Sequence, residues 1–212
     1  MLIAMSSYYY KLTELFIIFI FIPVSFVMQF PLCTKAVIAF FGFLYVIYIL
    51  LKVERAGFKI SKHINWKSFW KTTAIKFVLI SLITTAFLYV TDKELLFSVV
   101  LNKPLLWLLI LVFYSLFSVY PQEIIYRTFY FKRYSALFKN EKLFIFVNAL
   151  VFSLAHLFFK SSLVIVLTFL GGLLFALTYL KTKSILLVSI EHAIYGCWLF
   201  TVGMGSMLGF PN

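Results

Sequence analysis

The sequence predicts an all-α fold, a polytopic transmembrane bundle of about seven helices with a cytoplasmic N-terminus. Three observations predict it. First, hydrophobic residues make up 64% of the 212 positions and charged residues only 12%, against about 45–50% and about 25% in a soluble domain. A water-soluble globule this small cannot hide so much apolar surface, because most of its volume lies near its boundary. Second, the apolar residues come in long continuous runs, not in the short alternating segments of a β-barrel. Third, the cations fall between the runs, and mostly on alternate connections.

A membrane helix needs roughly 20 mainly apolar residues. The runs at 15–33, 36–51, 74–90, 104–120, 143–159, 161–180 and 184–203 are the candidates. The first is longer than the roughly 7–15 residues of a signal-peptide core, and no small-residue cleavage site follows it, so it reads as a mature helix. Between the second and third runs lies the longest connection, 52–73, which is basic and contains Trp66, Phe69 and Trp70. Cations mixed with aromatics suit the lipid headgroup layer, and an interfacial helix is expected there. In chain order, 1–103 forms N-terminal transmembrane helices with this basic cytoplasmic loop. Residues 104–212 form a second half that carries the chemistry, within one integrated membrane domain.

The net charge of +12 follows from topology. With the N-terminus inside, the inner side receives Lys11, Lys52, Arg55, Lys59, Lys62, Lys67, Lys71, Lys132, Arg133, Lys139, Lys142, Lys181 and Lys183. The outer side receives only Lys35, Lys93, Lys103 and Lys160. Cytoplasmic loops carry excess Lys and Arg, so this orientation is favoured and nucleic acid is not an expected partner. Cys33 and Cys197 form no spacing motif and read as small buried hydrophobes.

Only seven acids and three histidines are present. Glu14, Glu54, Asp92, Glu94 and Glu141 fall at run ends or in loops, where water can solvate them. Glu123, His156, Glu191 and His192 lie in or beside apolar runs. An ionisable group at a membrane helix centre costs about 2.5–3.5 kcal/mol on insertion scales, and such groups usually line a functional interior. Glu123 and Arg127 are four apart and share a helix face as an ion pair. Pro121 begins or kinks a helix beside them. Asn148, Ser153 and His156 lie on one broad face of the fifth run. His192 and Gly196 face one way on the seventh, with Glu191 about 100° away. Three runs that each retain a carboxylate or imidazole point to one converging site for acid–base chemistry or metal binding. As a metal centre, Glu123, His156 and His192 would be three zinc ligands with one position open.

These segments resemble the CAAX protease and bacteriocin-processing (CPBP, Abi-type) family of intramembrane endopeptidases. Its motifs are Glu-Glu-x-x-x-Arg, Phe-x-x-x-His and His-x-x-x-Asn or Asp. Here they read Gln122-Glu123-x-x-x-Arg127, Phe152-x-x-x-His156 and His192-x-x-x-Gly196, and the likeness spans about 104–205. The resemblance implies a CAAX-protease-like catalytic core in 104–212 that cleaves a peptide bond with activated water. It implies no required cofactor, zinc remaining a second mechanism, and a peptide or membrane-anchored protein substrate within the lipid bilayer. By position, the water-activating acid falls on Gln122, its partner on His156, the oxyanion donor on His192 and the bracing cation on Arg127. Two departures matter. Gln122 is an amide and cannot take a proton as a carboxylate does, and Gly196 has no side-chain donor. Glu123 is therefore expected to supply the base and His156 to orient the water. The alternative reading is an inactive family member, a membrane scaffold or an immunity factor against peptide toxins. The abundance of Phe, Lys, Ile and Tyr suggests an AT-rich bacterial genome, and hence a bacterial plasma membrane.

Overall fold

A computed structural model of the chain describes residues 5–56 and 64–208. These are helical, with no strand among them. Seven helices are long and apolar enough to cross a membrane: α1 (Tyr8–Ser25), α2 (Leu32–Val53), α3 (Trp66–Thr91), α4 (Pro104–Leu137), α5 (Glu141–Phe159), α6 (Ser162–Thr182) and α7 (Ile185–Val202). A short helix, Ser98–Asn102, precedes α4. The chain is an integral membrane protein of the expected all-α class. Large apolar side chains such as Ile75, Val78, Leu82 and Val90 on α3 stay exposed, as lipid-facing residues do.

The expected boundaries need correction at three places. The third helix starts at Trp66, well before residue 74, because the Asn65 side chain caps it by accepting from Ser68 N at 2.9 Å. Trp66, Phe69 and Trp70 thus belong to the first turns of α3, not to a separate interfacial helix. The rest of that expected helix, with Lys59 and Lys62, lies partly outside the described residues. The second correction concerns α4, which passes through Pro121 and runs on to Leu137. Proline breaks an α-helix because it lacks the N–H for the bond to residue i−4. Here π-helical turns at Tyr114–Val119 and Ile124–Phe129 flank it. Their i→i−5 pattern already departs from α bonding where Pro121 intervenes. At 1.5 Å per residue, 34 residues span about 51 Å, beyond the ~30 Å hydrocarbon layer, so α4 must tilt or project. Third, the α-helical part of α5 ends at Leu154, which leaves His156 in the turn that follows.

Contacts gather the chain into two compact units. The first combines 1–59 with 122–181. Its centre is Phe19, fully enclosed, with the rings of Tyr126, Tyr130 and Tyr134 edge-on at 5.3, 5.5 and 5.8 Å and Phe129 stacked at 6.2 Å. Beside this hub a polar cluster is buried. Arg133 Nε donates to Glu14 at 2.7 Å and Nη1 to Glu54 at 2.8 Å. Tyr134 donates to Glu14 at 3.0 Å, and Tyr45 donates to it as well. Glu14 is therefore not a solvated end residue, and Arg133 is not a loop cation; each offsets the other's burial. Helices α5 and α6 approach closely at Gly172, where a Cβ would meet Ala149 Cα at 3.0 Å.

The second unit combines 60–121 with 182–212 and holds α3, the first part of α4 and α7. Ser184 caps α7 by accepting from Leu187 N. Gly203 ends it with φ +112°, a conformation suited to glycine at a helix C-terminus. A Cβ there would also strike the Leu95 carbonyl. Trp198 Nε1 donates to Thr84 at 2.9 Å and Trp107 Nε1 to Thr201 at 3.0 Å. Three helices are thus tied together by side-chain bonds in apolar surroundings.

Candidate active site

The sequence-predicted residues fall in both units. Gln122, Glu123, Arg127 and His156 belong to the first, and His192 to the second.

Glu123 sits near the middle of α4, not at the inner end of a shorter span. Its side chain and that of Arg127 are both fully buried, with Arg127 Nε 3.2 Å from Glu123 Oε2. The four-residue separation on a helix makes this pairing, as the spacing predicted. Asn148 on α5 is also fully buried. Its Oδ1 accepts from Arg127 Nη1, and its Nδ2 donates to the Tyr126 carbonyl at 2.8 Å. The guanidinium lies over the Phe152 ring at 5.1 Å and the Phe175 ring at 5.9 Å, an arrangement that attracts the cation to both π faces. Charge, amide and aromatic faces together fix Arg127, and Arg127 in turn holds the Glu123 carboxylate.

Phe152 also links this pair to His156, whose ring centroid lies 5.0 Å from its own. Phe159 stacks on the imidazole from another side at 6.1 Å. The His156 Nδ1 is 2.7 Å from the Phe152 carbonyl oxygen. A carbonyl only accepts, so Nδ1 carries a proton. Of the two polar residues expected to share its face, Asn148 serves Arg127, and Ser153 donates to the Ile165 carbonyl at 2.8 Å.

In the second unit, His192 is buried at 5% exposure. Its Nε2 lies 3.1 Å from the Tyr114 hydroxyl, and the two rings meet edge-on at 6.1 Å. Glu191, fully buried, turns elsewhere, as its helical angle predicted. Its Oε1 accepts from Lys76 Nζ at 2.8 Å and from Tyr195 OH at 2.9 Å. Tyr114 was not among the sequence-predicted residues. One tyrosine among thirteen, in an apolar run with no motif around it, carries no signal of its own. Among the described residues, no group of three or more His, Cys, Asp or Glu is placed to hold a metal ion.

Residues 104–198 match a family model described as Type II CAAX prenyl endopeptidase Rce1-like. That stretch contains all three segments on which the sequence resemblance rests. Neither a search of curated proteins nor one of solved structures finds a match to this chain.

Proposed function

From the match of residues 104–198 to the type II CAAX prenyl endopeptidase Rce1-like model, we propose that the protein is an intramembrane endopeptidase. The observation that carries this reading is a completely enclosed carboxylate, Glu123, held by Arg127 in a family-matched segment otherwise almost free of acids. Buried carboxylates in membrane helices are retained at a cost in stability, and general base catalysis gives this one a purpose.

In the proposed reaction Glu123 takes a proton from water while His156 Nε2 orients it. The water oxygen bonds to the scissile carbonyl carbon, and the carbonyl electron pair moves onto its oxygen. The part of oxyanion donor falls to His192 by its motif position alone. The C=O bond then re-forms, the C–N bond breaks, and the proton held by Glu123 passes to the leaving amine. Gln122 has the dipole to hold a water or a peptide group but not to accept the proton. The substrate is an extended peptide segment at or near a membrane anchor, and the membrane is a bacterial plasma membrane. No metal takes part in this scheme.

The test uses purified protein in micelles and a pool of quenched fluorescent peptides, including prenylated C-a-a-X sequences. Wild type is expected to cleave members of the pool, with kcat reduced by at least about 10²-fold in Glu123→Gln and in His156→Ala. Equal cleavage by wild type and the double variant refutes the assignment. Stoichiometric zinc in the same preparation, with activity lost on chelation and regained on zinc addition, would overturn the metal-free scheme.

A further inference from the structure

In the first unit, the end where α4 stops, α5 starts and α6 stops carries a ring cluster with lysines around it. Phe144, near the start of α5, stacks on Tyr130 at 4.8 Å and meets Phe131 and Phe138 at 4.9 and 5.1 Å. Phe131 in turn meets Tyr179 of α6 edge-on at 5.3 Å. Tyr130 also donates to the Phe144 carbonyl at 3.3 Å. Rings from three helices thus hold the three helix ends together. Lys132, Lys139, Lys142 and Lys181 each stand within two positions of one of these rings, and all four are exposed. Among the described residues none of the four is in an ion pair. Arg133, by contrast, is turned inward to Glu14 and Glu54. Glu141 is the one acid in these stretches, so four lysines against one carboxylate leave the exposed charge of 130–144 and 179–181 at +3.

We infer that this end is a binding surface for the headgroups of anionic phospholipids in the leaflet it faces. Clusters of basic residues at the ends of membrane helices attract anionic lipid. An ammonium only donates hydrogen bonds, and the phosphate oxygens of a headgroup accept them. Lysine stems lie along apolar surface while their heads reach outward, and amphipathic rings such as Tyr130 and Tyr179 suit the same depth. The helix ends that carry the lysines are also fixed. Asn140 caps α5 by accepting from Lys142 N and Leu143 N at 2.9 and 3.2 Å, which sets where Lys139 and Lys142 leave the backbone. Lipid is the occupant because all four lysines lie in or beside the terminal turns of membrane-spanning helices, where a headgroup is already the neighbour. The inference does not use the peptidase chemistry, so the two readings stand or fall separately.

The test is lipid binding by the full chain in neutral detergent micelles, read by native mass spectrometry. Phosphatidylglycerol and phosphatidylcholine with the same acyl chains are the probes. Wild type is expected to bind phosphatidylglycerol at least about tenfold more tightly. Lys132→Gln, Lys139→Gln, Lys142→Gln and Lys181→Gln combined are expected to abolish that preference. Lys35→Gln, Lys93→Gln, Lys103→Gln and Lys160→Gln combined remove the same charge elsewhere and are expected to keep it. Equal affinity of wild type for the two lipids overturns the inference. So does an equal loss in both quadruple variants, which would assign the preference to net charge. Displacement of the lipid by inorganic phosphate at constant ionic strength also overturns it, by assigning the face to a soluble anion. Glu141→Gln removes the acid among the lysines and is expected to tighten phosphatidylglycerol by about two- to fivefold. If the first quadruple variant fails to fold, Glu141→Gln decides: unchanged binding overturns the inference.

Discussion

At Gly196 a single missing atom decides how closely Tyr114 can approach the seventh helix. Substituting Gly196→Ala adds only a methyl group, yet that methyl must displace Tyr114 from His192. The expected result is a stability loss of about 1–3 kcal/mol, the range for overpacking, together with a kcat below that of wild type. Thermal unfolding in detergent and peptide cleavage read the two effects. A variant that keeps both stability and activity would show that the phenol has room to retreat. The site residues were unevenly legible in the sequence. Glu123, Arg127, His156 and His192 stood out because charge in apolar sequence is costly. Tyr114 did not, since a tyrosine in a membrane helix is cheap and its partner is 78 positions away. The same distance blindness hid Glu14 and Arg133, whose pairing spans 119 residues. Each alone looked like a solvated end charge.

Among the elements, α7 is seated on α3 in part by an ion pair whose carboxylate is buried. Glu191 meets Lys76 of α3 at 2.8 Å, and Tyr195 one turn later donates to the Thr73 carbonyl at 3.2 Å. Lys76→Met leaves the Glu191 carboxylate buried without its cation. That is expected to cost about 3–5 kcal/mol, the range for breaking a buried pair. Lys76→Met with Glu191→Leu replaces both charges by apolar groups and is expected to recover most of the loss. Chemical denaturation or thermal midpoints of the three proteins in one detergent check the order; a double variant no better than the single would refute it. Helix existence was readable from apolar length alone, but helix ends were not. Asn65 started α3 early through a cap that depends on one side-chain rotamer. Pro121 read as a terminus because the sequence does not reveal that π-helical turns on both sides carry α4 past it.

For the molecule as a whole, the charge asymmetry predicts a cytoplasmic N-terminus. On that orientation Cys33, exposed at the start of α2 and not the buried hydrophobe its apolar sequence suggested, lies on the outer side. In intact cells a membrane-impermeant maleimide is expected to label Cys33 in a Cys197→Ser background without permeabilisation. Labelling only after the membrane is opened would invert the topology. The first helix pair is anchored by Arg133, the seventh helix by Lys76 and the Glu123 carboxylate by Arg127, so these three cations serve the interior and not the membrane surface. The wide turn at Tyr114–Val119 has a consequence at this scale too. A π turn holds one residue more than an α turn does, so α4 has a spare position in reserve. Deleting lipid-facing Phe117 would close that turn to ordinary pitch and leave Glu123 aimed as before. Deleting Leu109 from the regular stretch would instead swing every later side chain by about 100°. The helix can thus shorten by one residue at its slack and nowhere upstream.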